Sequence, residues 1–297
     1  MLRDKTLFFE YKRLFSNRIW VVIALCFAIS FVFWSYGYKD LEEDLIYKEV
    51  VEQYRGNATD EKMEDISYKM EYYNRIINEH FTISEKYAKD EISTAEYKEI
   101  IADYNYAKAN WKGWEKLWEN TNRYTQQKNS TDYLYEVSWE KLLDNDLQWA
   151  FTFLMIILLI PYFYLDRETG FYAMGESFWK YKYQKKIRLC FALVIILLLQ
   201  VLWIASEHAV VIFQSSIPDP NAAACSLKML TQIKSGISLG QVYLVKNLLL
   251  LLKRCLDVVL LFFAAEKVRG KMLTTVIGLL YLLATNYYYM DWVYRIL

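Results

Sequence analysis

The sequence predicts an all-α polytopic membrane protein: about five transmembrane helices, an N-terminal amphipathic helix, and a large helical extracytoplasmic domain between spans 1 and 2. Three observations predict it. Apolar residues make up 55% of the 297 and are gathered into a few blocks, while the 24% that are charged fill the remainder, a partition that neither a soluble globule nor a wholly membrane-embedded chain shows. Residues 38–148 carry 15 Lys+Arg against 25 Asp+Glu, an acidic insert directly after the first apolar block. Within that insert, apolar side chains recur at heptad spacing.

Residues 1–18 interleave Leu2, Leu7, Phe8, Phe9, Tyr11, Leu14 and Phe15 with Arg3, Lys5, Lys12, Arg13 and Arg18. Aromatic and basic side chains together predict a helix lying among lipid headgroups, with an ordinary basic juxtamembrane tail as the plainer alternative. Residues 19–38 hold 20 positions without a charge, enough at about 1.5 Å per residue to cross a hydrocarbon core of roughly 30 Å. The run is longer than a signal-peptide core, and Phe31, Phe33, Trp34 and Tyr36 stand where a peptidase needs small residues, so an uncleaved span is expected.

In the domain 39–148, two segments have helical seams. Met63, Ile66, Met70, Tyr73, Ile77 and His80 form one; Tyr97, Ile100, Tyr104, Ala107, Trp111, Trp114 and Trp118 form the other. Ser93-Thr94-Ala95-Glu96 has capping-box form, Thr82-Ile83-Ser84-Glu85 repeats it, and Gly56-Asn57 predicts a helix end. A coiled-coil-like helical hairpin is expected, returning through a helix that begins near residues 130–132. The tryptophan stripe could serve as a ligand platform, but a stripe at this spacing is more often a packing seam.

Four more spans are predicted at 149–165, 189–205, 239–265 and 272–290, together forming a transmembrane domain over 149–297. The span 239–265, fourth in the chain, carries Lys246, Lys253, Arg254 and Asp257, and a charge at mid-bilayer costs about 2.5–3.5 kcal/mol on insertion scales. Lys253, Arg254 and Asp257 share one helical face at i, i+3 and i, i+4, so they are candidate functional charges. The bland alternative is a span that starts later, with the two cations snorkelling to an interface.

Orientation follows from the loops. Segments 1–18, 166–188 and 266–271 have net charges of +3, +3 and +2, whereas 206–238 and 291–297 are neutral and 38–148 sums to −10. The positive-inside rule then predicts a multi-pass protein of the cell membrane, N-terminus cytoplasmic, 39–148 outside and C-terminus outside.

Cys26, Cys190, Cys225 and Cys255 have neither disulfide nor metal spacing and are expected to be core residues. With only His80 and His208, no histidine triad or His-based metal site is available. No Walker A loop, G-x-S-x-G or H-E-x-x-H motif is present. No enzymatic activity, cofactor or nucleic-acid partner is expected of the chain.

Residues 138–146, Ser-Trp-Glu-Lys-Leu-Leu-Asp-Asn-Asp, lead into the second span, which leaves through Asp166-Arg167-Glu168-Thr169-Gly170-Phe171-Tyr172-Ala173-Met174-Gly175. Further on come Ile217-Pro218-Asp219-Pro220-Asn221, Ser226-Leu227, and Ile237-Ser238-Leu239-Gly240-Gln241-Val242-Tyr243-Leu244. In these motifs and in overall plan the chain resembles ABC-2 type permeases, the membrane subunits of ATP-binding-cassette exporters. It departs from them in reading Phe178-Trp179-Lys180-Tyr181-Lys182-Tyr183 where a Gly-Arg pair is common, and in having five spans rather than six. A re-entrant element around 209–213 or a shortened family plan would account for the count.

The resemblance implies that the 166–188 loop couples the chain to a separate ABC ATPase subunit through Glu168, Gly170, Phe171, Tyr172 and Gly175. It also implies pairing with itself or a sister permease chain, contact with membrane lipids, and export of a peptide, lipid-like or other amphipathic cargo. A plain cytoplasmic loop obeying the charge rule is the alternative for 166–188. For the whole chain the competing expectation is a non-transporting membrane sensor or assembly scaffold, whose outer helical domain binds a partner.

Overall fold

A computed structural model describes residues 10–12, 14, 19–127, 130–144, 147–168, 179–215, 219–233, 236–268 and 270–287. The chain divides into two compact units, an apolar one of residues 1–38, 142–214 and 243–297, and a polar one of residues 39–141 and 215–242. The 215–242 connection thus belongs with the inserted domain and not with the apolar helices on either side of it.

In the polar unit, α2 (Glu42–Glu52), α3 (Asp60–Asn78), α4 (His80–Ala88) and α5 (Thr94–Thr125) follow one another. Local chemistry sets their starts: Ser93 Oγ accepts from the Glu96 amide at 3.2 Å, Thr59 Oγ1 accepts from the Lys62 amide at 3.4 Å, and the Leu41 amide donates to Asp44 Oδ2 at 3.2 Å, each supplying a partner to an orphan end group. The Thr82-to-Glu85 box caps nothing. It lies inside α4, which starts at His80.

The 32-residue α5 packs against both α2 and α3, so two faces of it are covered. Ring pairs fix its direction against α3 and α4: Tyr73 lies 5.1 Å from Trp114, His80 stacks on Tyr104 at 4.1 Å, and Tyr87 stacks on Tyr97 at 4.1 Å. These pairings run antiparallel, as the hairpin expectation has it. Because α2 covers the second face, the buried stripe leaves the heptad seam after Trp114 and continues through Leu117, Thr121 and Tyr124, while Trp118 is 38% exposed. Gly113 marks the closest approach to α2: a Cβ there would stand 3.0 Å from the Ile46 carbonyl oxygen and 3.0 Å from its Cγ2.

Gly56-Asn57 is not a helix cap, because α2 has already ended at Glu52. The two residues form β1, paired antiparallel with β2 (Asp132–Tyr133), and Gly56 takes φ +97°, a conformation open to glycine without strain. The return helix accordingly starts later than residues 130–132, at Val137 (α6, Val137–Leu143).

The apolar unit contains α1 (Ile19–Gly37), α7 (Gln148–Glu168), α8 (Trp179–Gln214), α9 (which begins at the unit boundary and spans Leu239–Lys267) and α10 (Lys271–Tyr287). Three helical stretches are long and apolar enough to cross a membrane: Ile19–Gly37, Tyr183–Gln214, and Val137–Leu165, which takes in α6, most of α7 and residues 145–146, outside the described residues. Residues 209–213 continue α8 without a break, so no re-entrant element forms there. Phe27, Trp34 and Phe151 pack edge-on around Trp203, with ring centroids 5.0–5.4 Å apart, joining α1, α7 and α8.

Candidate functional site

Polar residues are isolated in the apolar helices, and they meet. Gln148 and Thr152 lie one turn apart on α7; Gln200 interrupts an apolar stretch of α8; Lys253, Arg254 and Asp257 share a face of α9. Arg254 is fully buried and its guanidinium reaches all of the others except Lys253. Nε donates to Gln200 Oε1 at 3.2 Å. One terminal nitrogen donates to Thr152 Oγ1 and to Asp257 Oδ2, both at 3.2 Å. The other donates to the Gln148 carbonyl at 3.3 Å and to Gln148 Oε1 at 3.0 Å.

Lys253 Nζ donates to the same Asp257 oxygen at 2.8 Å, and the Thr152 hydroxyl donates to the Gln148 carbonyl at 2.9 Å. Below the guanidinium lies the Phe151 ring, 5.2 Å from centroid to Cζ, which links the ionic cluster to the aromatic cluster around Trp203. A planar fork with five donors serves all five acceptors from three helices at once, two more than the three donors of an ammonium. Two polar atoms of this network, Asp257 Oδ1 and Gln200 Nε2, have no partner among the described residues.

The predicted intramembrane charges are therefore brought together. Sequence reading missed their partners Gln148, Thr152 and Gln200, although a lone polar residue in an apolar helix is itself a signal of an inward-facing position.

Further polar contacts lie on each side of this hub. Lys246 Nζ donates to the carbonyls of Leu142 and Leu143 at 2.7 and 2.8 Å, satisfying C-terminal carbonyls of α6, and the Tyr38 hydroxyl donates to Glu207. Toward the other end of α9, Lys185 pairs with Glu266 at 2.6 Å, and Tyr162 donates to Glu10 at 2.7 Å with Arg188 3.7 Å from the same carboxylate oxygen. Glu10 and Leu14, from the segment expected to lie at the headgroups, are both buried. On α9, Lys246 and Glu266 stand about 12 Å and about 18 Å from Arg254 along the axis. The hub is thus central.

Of the predicted coupling residues, Gly170, Phe171, Tyr172 and Gly175 lie outside the described residues, and of Glu168 only the backbone is described, at the end of α7. Among the described residues no group of three or more His, Cys, Asp or Glu side chains is placed to hold a metal ion.

The polar unit has its own charged feature, a cleft of about 410 Å³ between α2, α5, α6 and Lys228. Glu136 is buried at its floor, accepting from Asn120 Nδ2 at 3.0 Å and from Arg123 at 3.5 Å. Loss of hydration pushes the Glu136 carboxyl above the ordinary carboxylate range in spite of Arg123, and Glu140 is raised by burial and by Glu136 itself. Elsewhere on the unit, the Tyr72 phenol is pushed up to about 12 by burial and by donating to Asp103.

No family model, curated protein or solved structure matches this chain. The resemblance to ABC-2 permeases rests on plan and short motifs alone.

Proposed function

We propose that the chain is a non-catalytic permease subunit of an ATP-binding-cassette exporter, moving a peptide, lipid-like or other amphipathic cargo with energy from a separate ATPase subunit. In this reading it is a multi-pass protein of the cell membrane with α1, α7, α8, α9 and α10 as five spans. The N-terminus faces the cytoplasm, the polar unit lies outside, and the 166–188 loop with Glu168, Gly170, Phe171, Tyr172 and Gly175 meets the ATPase.

The observation that carries the reading is the Arg254 hub. A bundle that only anchors an outer domain can be packed with apolar side chains, which are often as stable as a buried ion pair or more so. Ionic groups placed at the core of apolar helices suit a bundle that changes its helix packing during a cycle. Such groups hold one discrete arrangement by directional bonds.

Affinity purification of the full chain from native membranes in mild detergent tests it. An ATP-binding-cassette ATPase should co-purify, Gly170→Pro together with Glu168→Ala should abolish that association, and export should be lost. Recovery of no ATPase, with a phenotype untouched by the loop variant, would refute the transporter.

The alternative of a sensor or scaffold draws on the charged cleft of the polar unit. It predicts that the phenotype depends on residues 39–141 while no solute crosses.

A further inference from the structure

Arg123 on α5 has two partly buried contacts. It donates to the carbonyl of Ser226 at 2.6 Å and, with the same nitrogen, faces the Glu136 carboxylate at 3.5 Å. Ser226 lies in the first of two short 3₁₀ turns (Ala224–Ser226 and Lys228–Leu230), within the segment of the polar unit that connects α8 to α9. Among the described residues, the hydrogen bonds that clip that segment to α5 and the 130–132 stretch are Tyr124 Oη and Arg123 on the Ser226 carbonyl, the Asp132 amide on Ser226 Oγ at 2.7 Å, the Ala223 amide on Asp132 Oδ2 at 2.7 Å, and Cys225 Sγ on the Ser130 carbonyl, beside the buried apolar side chains of Leu227 and Leu230. Arg123 is the only cation among these clips.

We propose that the Glu136–Arg123–Ser226 junction is a proton-operated joint, which holds the 219–233 segment to α5 while Glu136 is charged and loosens it when Glu136 is protonated. The joint is a property of the polar unit, whichever side of a membrane that unit faces and whatever the transported cargo.

With Glu136 ionised, the guanidinium is held between carboxylate and carbonyl, and Asn120 supports the carboxylate from the other side. With Glu136 neutral, the half-buried Arg123 side chain has lost its inner counter-charge, while Glu119 and Glu140 line the solvated cleft that it also borders. The favourable move for Arg123 is outward, toward those acids and away from Ser226. The groups that face Glu136 decide how easily it takes the proton. Tyr47 from α2 approaches it through Asn120, Lys116 and Arg123 from α5 favour the charge, and Glu140 from α6 opposes it, with Lys228 acting on Glu140. Burial outweighs the cations and raises the carboxyl, so Glu136 takes its proton at a higher pH than a free glutamate does.

Hydrogen–deuterium exchange of the full chain in nanodiscs at about pH 7.5 and about pH 4, corrected for intrinsic exchange, tests the joint. Protection of amides 224–230 should fall about tenfold on acidification while α3 stays protected, and Glu136→Gln should show the low protection at both pH values. Glu85→Gln, exposed on α4 and outside the cleft, should retain the response.

Equal protection of 224–230 at the two pH values in the natural sequence would overturn the proposal. So would a Glu136→Gln chain as protected as the natural one, and loss of the response in Glu85→Gln would assign it to another carboxyl. Retained protection of α3 in each variant separates these outcomes from misfolding.

Discussion

Replacing Asp257 by leucine removes a carboxylate that pairs with both Lys253 and Arg254. The magnitude can be reached by two routes. Breaking a buried ion pair from one side costs about 3–5 kcal/mol, because the remaining charge stays buried without compensation. Alternatively, polar contacts between membrane helices average about 0.6 kcal/mol each, and the five bonds of Arg254 together come to about 3 kcal/mol if the guanidinium is displaced altogether. Both routes give a loss of about 3 kcal/mol or more, or at least two orders of magnitude in the folded-to-unfolded ratio. Reversible unfolding of the purified chain in mixed micelles, followed by tryptophan fluorescence, measures it.

The companion variant, Lys253→Met with Arg254→Met and Asp257→Leu, should recover half or more of the loss, since a neutral core needs no counter-charge. A loss below about 1 kcal/mol in Asp257→Leu would refute the reasoning: it would mean that water or lipid headgroups already screen the cluster.

Three other outcomes are expected from the polar unit. Gly113→Ala should destabilise it by about 1–3 kcal/mol through the clash with Ile46, although alanine in an unobstructed helix would gain about 1 kcal/mol; thermal melting decides the sign. Trp114→Ala should cost about 3–5 kcal/mol and Trp118→Ala less than 1 kcal/mol, and comparable losses would restore the uninterrupted heptad seam. Asp65 accepts from Tyr54 at 2.6 Å and pairs with Lys69, partners that hold its carboxyl below the usual value. Its contribution is therefore present above the unfolded carboxylate pKa and is lost as pH falls through the lower folded value, so Asp65→Asn should flatten stability against pH in that acid window.

Legibility in the sequence followed the range of the interactions. Ser93 announced the start of α5 because a cap is a contact over three residues, and the uncharged run after Arg18 announced α1 because span length and composition are properties of one segment. The Trp118 position was misjudged because a heptad specifies one partner helix, and α5 has two. The β1–β2 pair was invisible because two residues on each strand leave no period to detect.

The site was half legible. Lys253, Arg254 and Asp257 declare themselves by charge on one helix face, whereas Gln148, Thr152 and Gln200 matter only through side chains that converge from other helices. Glu10 was missed for a related reason: a carboxylate among basic residues looks like surface until Tyr162 and Arg188 are placed beside it.

Helix α8 is 36 residues long, which at about 1.5 Å per residue makes a rod of roughly 54 Å. A hydrocarbon core of roughly 30 Å would cover little more than half of it. An unbroken helix longer than the layer that surrounds it acts as a lever: a tilt of about 5° around its midpoint moves each tip by about 2 Å in opposite directions, with no change in its internal hydrogen bonds. Small rotations near its middle, where Gln200 sits, therefore become displacements at both ends.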